Sequence, residues 1–104
     1  MKIKGEINTR NVWIDGKYLD PMESQKVHNH SPDGFAWGNY GGSGPSQLAL
    51  AILLTHFLEE VAVYYYHDFK WDTIANLPPS DFEIEVDLDE WLKKQKEKNE
   101  RRNN

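Results

Sequence analysis

Two short stretches of this 104-residue chain carry residue types that can do chemistry. The first is His28-Asn29-His30. On an extended strand both rings would face one side, as a metal site requires. Asp33, His56 or His67 would have to supply a third ligand, and no spacing forces any of them there. His30 reads better as a hydrogen-bond partner of the turn Ser31-Pro32-Asp33-Gly34, so neither a metal nor a cofactor is expected. The second stretch is Gly41-Gly42-Ser43-Gly44-Pro45-Ser46, which runs straight into an apolar segment. Pro45 suits the first position of a helix, because its fixed φ matches and its missing N–H would be unpaired there. The other N–H groups at a helix start carry partial positive charge and suit an anion. Ser43 and Ser46 would add hydroxyls. The competing reading is a loop that turns tightly to insert an apolar helix, since the segment lacks the Walker lysine and the G-x-G-x-x-G spacing. Serine-hydrolase chemistry at Ser43 is disfavoured: Pro45 stands where G-x-S-x-G needs glycine. His67-Asp68 resembles an acid–base pair, but adjacent helical residues do not face each other. The candidate ligand contacts are therefore His30, Ser31, Gly41, Gly42, Ser43, Gly44, Ser46 and Gln47, with Lys70 as an added cation. No catalytic set is assigned.

The elements that must position these residues follow from periodicity. Leu48 to Leu54 is apolar on every side, which predicts a buried central helix over 45–58. A second helix is expected over 60–77, stopped by Pro78-Pro79, with Ala62, Tyr65, Tyr66, Phe69 and Leu77 on one face. Tyr64 and Trp71 fall on its far side. They either anchor a protein partner or are covered by Trp91 and Leu92 of a third helix. Asp87, with Glu90 three residues later, signals the start of that helix.

Strands are expected over 2–4 and 12–19, the latter folded at Asp15-Gly16, a two-residue hairpin signal. Asp20-Pro21 ends the hairpin. A short strand is expected over 26–30 and another over 82–86, where apolar and acidic residues alternate. In the loop over 31–44, Phe35, Trp37 and Tyr40 alternate with glycines and are expected to tuck it onto the core. The fold class is α+β: a small antiparallel sheet packed against two or three helices, one of them central and buried.

The net charge is −5, and its distribution is uneven. Residues 1–91 carry −9 and residues 92–104 carry +4. An acidic body repels nucleic-acid phosphate, so direct nucleic-acid binding is not expected. The chain has no cysteine, and its start has no apolar run that would make a signal peptide. The apolar run of the central helix falls far short of the roughly 20 residues a membrane span needs. A cytoplasmic protein is expected, with one domain over 1–92 and a charged, frayed tail over 93–104.

The segments HSPDGFAWGNYGGSGPSQLALAILL, DFKWDTIANLP and FEIEVDLDEW resemble a family of small prokaryotic and phage-borne proteins, catalogued only as a domain of unknown function. The motifs lie between His30 and Trp91, and Asn39 stands as an insertion in the usual Trp-Gly-Tyr-Gly. The resemblance implies a single domain and an important loop. It implies no reaction and no cofactor.

Two functions from different classes follow. The first is a non-catalytic binding module, accessory or host-interacting in a phage setting, that takes a small anionic ligand or a protein partner through the glycine-rich loop. The second is a small enzyme with His30 as general acid–base and the loop amides holding an oxyanion or phosphate. The first is preferred, because the chain offers no convincing set of convergent polar groups. A third reading is an acidic inhibitor of a nucleic-acid-binding host protein. Nothing in the sequence commits the chain to an oligomeric state.

Overall fold

Asp15 and Gly16 close a hairpin between β2 (Val12–Ile14) and β3 (Lys17–Tyr18) in the computed structural model, which describes residues 1–102. Their φ angles, 49° and 82°, are both positive, as a type I′ turn demands. β2 pairs antiparallel with β1 (Lys2–Gly5), and β1 pairs antiparallel with β4 (Phe82–Glu85). The order is β3-β2-β1-β4. Ile3, Val12, Ile14 and Phe82 turn to the inner face and join the buried cluster.

Four helices complete this α+β fold: α1 (Pro21–Val27), α2 (Ser43–Leu54), α3 (Glu59–Asp72) and α4 (Leu88–Arg102). Every residue of α2 from Gly44 to Leu53 is buried, as its all-round apolar character requires. α1 and α3 both pack on it. α2 stops at Leu54, short of the expected Leu58. There Thr55 Oγ1 donates to the Ile52 carbonyl at 2.7 Å. α3 ends at Asp72 and passes through a 3-10 turn at Ile74–Asn76 before Pro78. Among the described residues no helix is long and apolar enough to cross a membrane.

Three expectations need correction. The strand over 26–30 does not form, because Asp20-Pro21 opens a helix rather than merely ending the hairpin. Asp20 Oδ1 accepts the Met22 N–H at 2.9 Å, and Pro21 occupies the first turn. Tyr40 is not tucked in. Phe35 and Trp37 are buried, but Asn39 takes a φ of 59° and donates its N–H to the Leu77 carbonyl at 2.7 Å, after which Tyr40 lies 47% exposed. The stretch 93–102 is helical rather than frayed. Asp87 Oδ1 caps α4 through the Glu90 N–H at 3.0 Å. Beyond Leu92 the Lys-, Glu- and Gln-rich sequence has high intrinsic helix propensity, and Gln95 within it is buried. Residues 103 and 104 of the expected tail lie outside the described residues.

Candidate functional site

Gln47 lies one turn into α2 and is fully buried. Its Oε1 accepts the His30 and Ser31 N–H groups at 2.8 and 3.1 Å. Its Nε2 donates to Ser24 Oγ at 2.8 Å and to the His28 carbonyl at 3.1 Å. All four hydrogen-bonding positions of the amide are used. Gln47 thus fastens α1 and the segment 28–31 to the central helix and has nothing left to offer a ligand. Ser46 is in the same position: it is buried and its Oγ donates to the Gly42 carbonyl at 3.0 Å. Ser31 has its N–H on Gln47 and its carbonyl on Gln25 Nε2 at 2.8 Å. Gly44 is buried under Ala36. Gln47, Ser46 and Ser31 build the site rather than line it, whereas Gly44 keeps an N–H without an acceptor among the described residues.

The clasp on segment 28–31 brings His30 to α3. His30 Nε2 and the Tyr66 hydroxyl share a hydrogen bond of 2.6 Å. The His28 ring stacks on His30, with centroids 4.0 Å apart and planes 3° from parallel. His67 meets His30 edge-on at 5.9 Å. In-plane lone pairs of two stacked imidazoles run side by side and do not converge on one ion. Consistent with that, no group of three His, Asp or Glu is arranged to hold a metal among the described residues. Lys70, one turn beyond Tyr66, is only 7% exposed. Its Nζ lies 4.5 Å from the Trp71 ring centroid and makes no hydrogen bond or ion pair among the described residues.

Burial, then the neighbouring His28, His67 and Lys70 charges, holds His30 below its ordinary value. Burial and Lys70 lower His67 as well, with Asp68 opposing them and His28 adding to the fall. Burial raises the Tyr66 hydroxyl, so the His30–Tyr66 bond joins two neutral groups near neutral pH. The consequence for stability has a definite sign. The unfolded chain protonates these histidines near 6.5, and the folded protein resists protonation until lower pH. Below 6.5 the unfolded state holds more protons, so stability present above that value is lost as pH falls through the depressed folded values. Without added anion, the melting temperature is expected to drop between about pH 7.5 and about pH 5.5, and His67→Gln to shrink the drop. A melting temperature that holds or rises over that range would show that the cluster tolerates its own protonation.

The segment that leads into α2 meets α3 through Trp71. Gly42 is the N-cap of α2, with no side-chain cap and no acidic residue in the first turn. The Ser43 and Gly44 N–H groups find no acceptor among the described residues. The Trp71 ring rests on Gly41 so closely that an added Cβ would stand 2.5 Å from it, and the Tyr40 ring rests on Gly42 at 3.0 Å by the same measure. Trp91 turns to Phe69 at 5.1 Å and donates Nε1 to Asp72 Oδ2 at 2.9 Å. Tyr64 and Trp71 therefore remain 70% and 59% exposed.

The structure thus brings His30 beside Tyr66 and His67 and sets Lys70 on Trp71, whose ring rests on Gly41. The sequence reading weighed His28 and His67 beside His30 only as metal ligands, and it did not place Tyr66 or Tyr40 there. Helical spacing linked His67 with Lys70 and Trp71, but no local signal could pair them with His28 or Tyr40.

A family model described as a family of unknown function (DUF6166) matches residues 2–94, and the chain belongs to that family. No curated protein and no solved structure matches the chain.

Proposed function

We propose that this member of a family of unknown function is a non-catalytic binding module for a small anion, held where the start of α2 meets Lys70 and His30. The observation that carries this reading is Lys70. Most of its side chain is buried, while its Nζ keeps contact with solvent and has no acidic partner among the described residues. Here its neighbours are an indole face and imidazoles. Its contact with the indole is worth about 0.5–1 kcal/mol and leaves the charge without a counter-ion. An anion would neutralise Lys70, accept hydrogen bonds from the helix-start amides and favour protonation of His30 and His67. The enzyme reading has less support, because His30 Nε2 is already engaged by Tyr66 and no carboxylate hydrogen-bonds its ring among the described residues. The exposed Tyr64 and Trp71 favour a second reading, a protein partner docked on α3. A cytoplasmic setting and an accessory role in a phage or mobile element belong to the proposal, resting on the absence of cysteine and on the sequence resemblance.

The test is thermal melting in phosphate and in chloride at matched ionic strength, near pH 6 and near pH 8. A ligand that binds only the native state at 100 times its Kd adds about 2.7 kcal/mol. The −9 charge of residues 1–91 opposes an anion, so millimolar phosphate is required. A phosphate-specific rise, larger at the lower pH, is the expected result. Identical curves in both salts would remove the anion and leave the protein-partner reading.

A further inference from the structure

We infer that the free edge of β4 is a docking strand for a protein partner: it takes an extended segment whose apolar residues alternate with lysine or arginine, laid antiparallel along Glu83 and Glu85. β4 ends the sheet and has β1 on one side only. Val86 donates its N–H to the Met1 carbonyl at 2.8 Å, and the Met1 nitrogen donates to the Val86 carbonyl at 3.0 Å. Bonded pairs alternate along an antiparallel ladder, so Ile84 with Ile3 and Phe82 with Gly5 are the next bonded pairs. The N–H and C=O groups of Glu83 and Glu85 therefore point away from β1, and no partner meets them among the described residues. β3, the other edge, is only two residues long. Beside the β4 edge lies a groove of about 570 Å³, bounded by the 3-10 turn and α4. Half-buried Ile84, Val86 and Trp91, with buried Leu77, give it apolar walls. An added strand would put every second side chain over those walls and the others beside Glu83 and Glu85 on the exposed face.

Charge selects the occupant. Residues directly opposite on paired strands share a face, and like charges there repel. A second copy of this edge would set glutamate opposite glutamate, so two β4 edges keep apart. Lysine or arginine at those positions is attracted instead. β1 already shows the complement: Lys2 lies opposite Glu85 and Lys4 opposite Glu83, with Ile3 between them. Lys2 Nζ reaches Glu83 Oε1 at 3.9 Å. Within the groove Asp72, Asp87 and Glu90 face a single ammonium, Lys94, among the described residues. None of the residues concerned belongs to the anion reading.

The intact, isotope-labelled chain should be titrated with an end-capped peptide, Val-Lys-Ile-Lys-Val, and followed by NMR and amide hydrogen exchange. The Glu83 and Glu85 amides are expected to shift. With peptide at ten times its Kd they should exchange roughly tenfold more slowly. N-methylation of the two lysine amides, which would face β4, should abolish binding. N-methylation of the isoleucine amide, which would face solvent, should leave it intact. Glutamate in place of both lysines should weaken binding roughly tenfold or more. Glu83→Gln combined with Glu85→Gln should narrow that preference while protection of the two backbone amides persists. The free chain is expected to sediment as a monomer. Protection that falls elsewhere than on β4, binding that survives methylation of the lysine amides, or no shift at millimolar peptide would overturn the docking edge. Equal binding of the lysine and glutamate peptides would overturn the basic occupant. Dimers of the free chain with Glu83 and Glu85 protected would assign the edge to a second copy and overturn the inference as well.

Discussion

Replacing Gln47 by leucine is expected to lower the stability of the protein by about 3–5 kcal/mol, enough to leave a domain of this size marginal. The substitution keeps the volume and the apolar contacts of the α2 position. It removes the partners of four groups: the His30 and Ser31 N–H, the His28 carbonyl and Ser24 Oγ. An unsatisfied buried polar group costs roughly 1–3 kcal/mol. The total falls short of four such penalties, because His28 is exposed and His30 and Ser31 are half-buried, so water reaches their backbone. Ser24, at 1% exposure, has no such relief. Denaturant unfolding of Gln47→Leu and Gln47→Met measures this. A loss under about 1 kcal/mol in both would mean that the amide is not what holds α1 and the segment 28–31 in place. The His30–Tyr66 bond should weaken in the same variants, since the His30 backbone is what Gln47 anchors. Anion binding should then fall beyond what stability alone predicts.

Gly44→Val is expected to cost about 3 kcal/mol or more, and Ser43→Ala next to nothing. A Cβ at Gly44 would stand 2.4 Å from Ala36 Cβ and 3.0 Å from the Ala36 nitrogen. The obstacle is backbone and a methyl group, neither of which can rotate away. Gly44 therefore permits close approach of the loop to α2. Ser43 is exposed and its hydroxyl makes no hydrogen bond among the described residues. Melting curves of the two variants decide the matter: similar melting temperatures would show that the Ala36 segment moves aside freely. Gly44→Ala separates the two parts of the effect, since it tests the contact without the β-branch.

Much of this fold is legible in short windows of the chain. Asp15-Gly16 specifies its turn because few residues accept positive φ at both central positions. The all-round apolar run from Leu48 to Leu54 can only be buried, and α2 is the centre of the core. Asp87 caps α4 and Pro78 follows the end of the preceding helical turn, because capping and the proline ring act over a few residues. These effects are local, and the sequence alone determines them. The site is of another kind. α1 buries Ser24 rather than an apolar side chain, and its partner Gln47 is far along the chain, so no periodic stripe announces it. Asn39 sends Tyr40 outward by a hydrogen bond to Leu77. His28, His30 and His67 share one surface only because Gln47 pins the first two beside α3. Lys70 lacks a carboxylate partner among the described residues although acidic residues outnumber basic ones. Which charges meet depends on how α2 and α3 pack, and packing between distant segments is written in no single stretch of residues. The sequence determined the local geometry and the core; only the tertiary structure decided that three imidazoles cluster beside α3 and that Trp71, carrying Lys70 on its ring, rests on Gly41.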